Sequence, residues 1–197
     1  MDGTILLFLL QDGITNGAIY ALLGIALVLV FAVTRVIFIP QGEFVAFGAL
    51  TYALLEAGKV PGTVWLLAGF GLLAFVVDVV AAVREGALAR RLPKAVLIDL
   101  AIPGALVAAT LAVAGRELGS GAHFALTLAL ITPLGPLLYR VAFQPIAGAS
   151  ILTLMITAVG VHLALVGLGL VFFGAEGLRA PAVSDLLVTI GPMLVTG

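Results

Sequence analysis

The stretch ILTLMITAVGVHLALVGLGLVFF, residues 151–173, carries no charged residue and is long enough to cross a bilayer as a helix. A spanning helix needs about 20 mostly apolar residues, and this one exceeds that. The rest of the chain has the same character. Of its 197 residues 63% are apolar and only 10% are charged, and the mean hydropathy is +1.32. Nine Lys+Arg and ten Asp+Glu cannot cover the surface of a water-soluble body of this length. The composition therefore predicts an integral membrane protein, and 24 Gly with 9 Pro fits helices packed in lipid. A formal charge of −1 supplies no basic field for nucleic acid. With no cysteine, disulfides, thiolate metal sites and Cys nucleophiles are excluded.

Outward from residues 151–173, five more complete apolar stretches precede this one: Ile14–Val33, Phe44–Leu55 (beginning near Gln41), Val64–Val83, Ala95–Ala114 and His123–Tyr139. Ile5–Leu10 is too short to span and reads as a separate half-helix, broken from the next stretch by Gln11-Asp12-Gly13. Pro103-Gly104 predicts a kink in the fourth stretch, and Pro133 and Pro136 lie inside the fifth. A seventh stretch begins near Leu186 and is cut off at Gly197, so a truncated seventh span is expected. The predicted fold is an all-α polytopic bundle: six full transmembrane helices, a truncated seventh and a short N-terminal half-helix. The N-terminus has no basic region and no small-x-small cleavage site, and reads as mature sequence.

Four of the nine basic residues, Arg84, Arg90, Arg91 and Lys94, share one loop, which the enrichment of Lys and Arg in cytoplasmic loops assigns to the cytoplasm. Alternation then puts Arg35 and Arg140 inside, and the N-terminus, Lys59, Arg116 and Arg179 outside.

No P-loop, H-E-x-x-H, G-x-S-x-G or Cys/His cluster occurs, and two histidines alone cannot build a multi-histidine metal site. No cofactor is expected. Ionisable groups inside spans are costly and so single themselves out. His162, mid-span, either lines a solute path or hydrogen-bonds a neighbouring helix. Asp78 and Asp99 lie about 8 Å from the basic loop along a helix, where pairing with Arg84, Arg90, Arg91 or Lys94 is expected. Glu43, after Gln41-Gly42, suits the positive end of a helix dipole. Asn16 and Tyr20 share a face one turn apart, just past the Gln11–Gly13 break; they are candidates for lining a path or for interhelical hydrogen bonding.

The string Gly13-Ile14-Thr15-Asn16-Gly17-Ala18-Ile19-Tyr20-Ala21-Leu22, followed by Arg35-Val36-Ile37 and Gln41-Gly42-Glu43, resembles the start of the LivH-like permeases, membrane subunits of branched-chain amino-acid ABC importers. The tract from Tyr139-Arg140 through Gln144-Pro145 to Leu152–Gly160, and Phe172-Phe173-Gly174 after it, is similar to a later loop and span of that family. Phe38, Ile39, Pro40 and Gln41 stand where Asn, Phe, Ala and His are common, and residues 79–125 look like inserted membrane segments. The resemblance implies a transmembrane permease domain over residues 1–197, incomplete at its C-terminus because the ATPase-coupling loop would lie beyond Gly197. It implies as partners a second homologous permease, two cytoplasmic ATPase subunits and a periplasmic solute-binding protein, in the inner membrane. The substrate implied is a branched-chain or related amino acid; the chain itself would not be an enzyme. On this reading Asn16, Tyr20 and His162 line the path by alternating access, while Gln41, Gly42 and Glu43 shape a gate or partner contact at the cytoplasmic end. A proton-coupled secondary transporter is the rival reading, since a mid-span histidine can carry protons. An intramembrane enzyme would have only His162 with Thr157 or Asp78 with Asp99, neither at a recognised catalytic spacing.

Overall fold

The computed structural model describes residues 3–116, 118–179, 187–190 and 193–196, among which six helices and one β-hairpin occur. Helix α1 is Gly3–Thr34, α2 Gln41–Glu56 and α3 Thr63–Arg84. Helices α4 (Leu88–Val113) and α5 (Ser120–Ile146) each contain irregular turns, and α6 is Ile151–Phe173. All but α2 are long and apolar enough to cross a membrane, five such helices among the described residues. The chain forms a helical bundle suited to a bilayer.

Local chemistry explains the boundaries. Ser150 accepts a hydrogen bond from the Thr153 amide at 3.2 Å and so caps the start of α6. Helices α2 and α3 end on Gly58 and Gly86, whose φ of 68° and 67° only glycine adopts cheaply. The Lys59 and Ala87 amides then bond back to the Leu54 and Ala82 carbonyls at 2.8 and 2.9 Å, satisfying the helix ends.

Three features differ from the sequence-based expectation. Helix α1 runs unbroken through Gln11-Asp12-Gly13, so no separate half-helix exists. In lipid an unmade backbone hydrogen bond costs several kcal/mol, which outweighs the ~1 kcal/mol helix penalty of a glycine. Helix α2 begins at Gln41 as expected but has only 16 residues, about 24 Å, short of a full crossing. Residues 187–190 and 193–196, within the expected seventh helix, pair as antiparallel strands with Ile190 opposite Met193.

The core forms where α2, α3, α5 and α6 meet, around Phe47, Val64, Leu67, Leu130, Leu137 and Leu165, all buried. Thr51 of α2 and Thr63 of α3, both fully buried, hydrogen-bond to one another across the helix pair. Helix α1 is apolar all round and none of its spanning stretch is buried in the bundle. A helix of that kind is stable only in lipid or against another membrane segment.

Helix α4 widens into a π-helical segment at Val96–Ala101, and α5 does so at Tyr139–Phe143. Each segment ends two residues before a proline, Pro103 and Pro145. A proline has no N–H and leaves the carbonyl four residues earlier without its helical partner, here Asp99 and Val141, and the widened turn accommodates the loss. The freed Asp99 carbonyl lies against Gly71 of α3, where a Cβ would sit 2.5 Å from it. Gly71→Ala is therefore expected to destabilise the bundle by about 2 kcal/mol through overpacking. Gly69→Ala, on an open face of the same helix, should be near neutral. Thermal unfolding of the two variants in mild detergent checks this; equal midpoints would show that α4 does not rest on Gly71.

Candidate functional site

Helix α1 ends at Thr34, whose hydroxyl donates to the Val30 carbonyl at 2.7 Å and accepts from the Val36 amide at 3.2 Å. Arg35, with φ of 58°, reverses the chain. Residues 35–40 then run back along α1 in irregular conformation, Val36 and Pro40 buried and Phe38 set edge-on against Phe44 and Phe143. Irregular backbone at membrane depth survives where protein covers it, as here. Where it stops is fixed by Gln41, whose Nε2 donates to the Leu23 carbonyl at 2.8 Å. Leu23 lies about 17 Å along α1 from its Thr34 end.

The other side of the same level is set by α6. Glu43 Oε1 of α2 lies 2.8 Å from Nδ1 of His162, at the midpoint of the 23-residue α6 and about 17 Å from either end. Two independent contacts thus place the N-terminus of α2 halfway across the bundle. A helix N-terminus there presents the positive end of its dipole beside a carboxylate and an imidazole, its Gln41 and Glu43 amides bonded to the Phe38 and Pro40 carbonyls at 3.2 Å. Glu43 Oε2 is buried without a hydrogen-bond partner. The group can hold a cation or a proton at Glu43 and an anion at the helix terminus, two complementary charges at one depth.

At its far end α2 carries its other acid. Glu56 Oε1 lies 3.0 Å from Nδ1 of the buried His123, and Oε2 accepts from Ser120 at 3.5 Å. Both histidines of the chain thus face the two acids of α2. The sequence carries a signal for this in retrospect: two acids bracketing one apolar helix, and two histidines in otherwise apolar helices.

The two π-helical segments bring together a second polar group. Arg140 of α5 sits with Nη1 at 2.5 Å from Asp99 Oδ1 of α4 and 3.5 Å from Asp78 Oδ2 of α3. Asp99 is fully buried. The expected partners of Asp78 and Asp99 in the basic loop are corrected: both carboxylates face Arg140, because the π turns rotate Asp99 and Arg140 inward. Arg91 pairs instead with Glu85 at 2.7 Å on the surface. The basic stretch itself is partly helical, Leu88–Ala95 forming the first turns of α4.

No family model, curated protein or solved structure matches the chain. Of the sequence candidates, Gln41, Gly42, Glu43 and His162 come together level with the midpoint of α6, which corrects the expected place of Gln41–Glu43 at the cytoplasmic end, apart from His162. Asn16 and Tyr20 lie on the exposed surface of α1, with Tyr20 74% exposed, and are not brought to this group. Among the described residues no cluster of three or more metal-ligating side chains occurs.

Proposed function

We propose that this protein is a membrane permease subunit of an ATP-binding-cassette importer, forming part of the path for a branched-chain or related amino acid. The observation that carries the proposal is the start of α2 level with the midpoint of α6, with Glu43 set against His162. Discontinuous helices that begin at the bilayer midplane are how transporters meet charged solute groups without open backbone in lipid. A zwitterionic amino acid suits such a place: its carboxylate the helix N-terminus, its ammonium Glu43. The resemblance of Gly13–Leu22, Arg35–Ile37 and Tyr139–Gly160 to LivH-like permeases supports the same reading. It supplies the expected partners: a second permease, two ATPase subunits and a periplasmic binding protein. The six basic residues at the Arg35, Arg84–Lys94 and Arg140 end, against three at the other, support a cytoplasmic position for that end in the inner membrane.

The test is to purify the membrane complex in mild detergent, identify its chains by mass spectrometry, and reconstitute it for uptake of labelled leucine, isoleucine and valine. ATP-dependent uptake with co-purifying ATPase and binding-protein chains is the expected result. The titratable Glu43–His162 pair favours one rival, proton-coupled transport. Uptake driven by a proton gradient with no ATPase partner would establish that rival and remove the importer reading.

A further inference from the structure

At the basic end of the bundle a polar cleft of about 420 Å³ opens between α3, α4 and α5. Arg90, Arg91, Lys94 and Arg140 line it, with Asp78 and Gln144. The first three are spaced to share one face of the opening turns of α4, while Leu88 and Leu92 take the other; the buried Ala95 also borders the cleft. The charges do not cancel within the cleft. Arg140 is committed to Asp99 and Asp78, and Arg91 to Glu85, whereas Arg90 and Lys94 form no ion pair among the described residues.

Two apolar grooves adjoin this cleft. One, of about 550 Å³, lies between the end of α1 and α5 and shares Arg140 and Gln144 with it; Val30, Val33 and Phe143 are among its walls. The other, of about 470 Å³, runs along α3 past Val76, Val77 and Val80 and shares Asp78 and Gln144. A cationic cleft flanked by two apolar grooves matches an anion that carries two hydrocarbon chains. We propose that the cleft binds the phosphate headgroup of an anionic phospholipid, whose acyl chains lie in the two grooves. Basic pockets between transmembrane helices near the membrane surface recognise such headgroups by charge. A free phosphate would use the cleft and leave both grooves unfilled, so the grooves select the lipid. The proposal stands apart from any transport role.

The full chain, purified in mild detergent, is offered dioleoyl phosphatidylglycerol, dioleoyl phosphatidylcholine or sodium phosphate, and bound species are read by native mass spectrometry. Phosphatidylglycerol should be retained about tenfold or more over phosphatidylcholine. Arg90→Gln with Lys94→Gln should weaken that binding about 25-fold, at roughly fivefold per cation near the membrane surface. Arg140 is left intact because it compensates buried Asp99. Lys59→Gln with Arg116→Gln removes the same charge from the other end and should leave binding unchanged. Circular dichroism of both pairs controls for folding. Equal retention of the two lipids, or equal loss in the two charge pairs, overturns the proposal. Displacement of phosphatidylglycerol by low-millimolar phosphate would overturn it too, in favour of a free-anion site.

Discussion

Replacing Arg140 by leucine is expected to cost the bundle about 3–5 kcal/mol, because it strips a fully buried carboxylate of its one ion-pair partner among the described residues. Arg90, Arg91 and Lys94 line the same cleft as Asp78 and can compensate that acid in part. They do not reach Asp99, which lies behind it with Oδ2 already lacking a hydrogen-bond partner. Asp99→Asn removes the buried charge and keeps a group that Arg140 can still meet, so its cost should be smaller, about 1–2 kcal/mol. The double variant Arg140→Leu/Asp99→Asn should recover much of the loss of Arg140→Leu alone, a coupling that only paired residues show. Thermal unfolding in mild detergent reads all three. If Arg140→Leu is no worse than Asp99→Asn, the pair does not hold α4 to α5.

The second large effect tests the proposed transport role. Glu43→Leu removes the carboxylate at the start of α2 and leaves His162 without its partner. Uptake by the reconstituted complex should fall about tenfold or more, equivalent to at least ~1.4 kcal/mol of lost stabilisation. Glu43→Gln keeps the shape and hydrogen-bonding capacity but not the charge, and so separates two roles. A solute ammonium or proton held at Glu43 makes Gln as damaging as Leu; a purely packing role lets Gln retain wild-type uptake. Asn16→Leu with Tyr20→Leu gives the comparison on α1, where both side chains are exposed. Wild-type uptake in that pair, with loss in Glu43→Leu, would assign the path to α2 and α6 rather than to α1.

The spans were legible because their signal is local and repeated. Residues 151–173 carry no charge, start at a Ser cap and end on a glycine, and α6 occupies those residues. The irregularity at Pro103 was legible as a missing N–H, although not as a π turn that carries Asp99 inward. Gln11-Asp12-Gly13 does not break α1, since the propensities of Gly and Asp are measured in water and an apolar helix in lipid keeps its backbone hydrogen bonds. The shortness of α2 was visible as a short apolar stretch with polar flanks, yet nothing local said how deep it starts. That depth comes from Gln41 meeting Leu23 and from Glu43 meeting His162, the second of which joins residues more than a hundred positions apart.

By itself the sequence determined that this protein is a polytopic helical membrane protein, and it concentrated the cations at one end. Those are properties of length and composition: apolar helices of about 20 residues leave water, and the few charges collect at their ends. Tertiary structure alone decided which charges meet. Arg140 faces two acids from other helices, and α2 sets each of its acids against a histidine. The physical reason is that a charge in a low-dielectric interior is bound by whichever partner packing brings within a few ångströms, and helix rotation, set here by two prolines and one close-packed glycine, makes that choice.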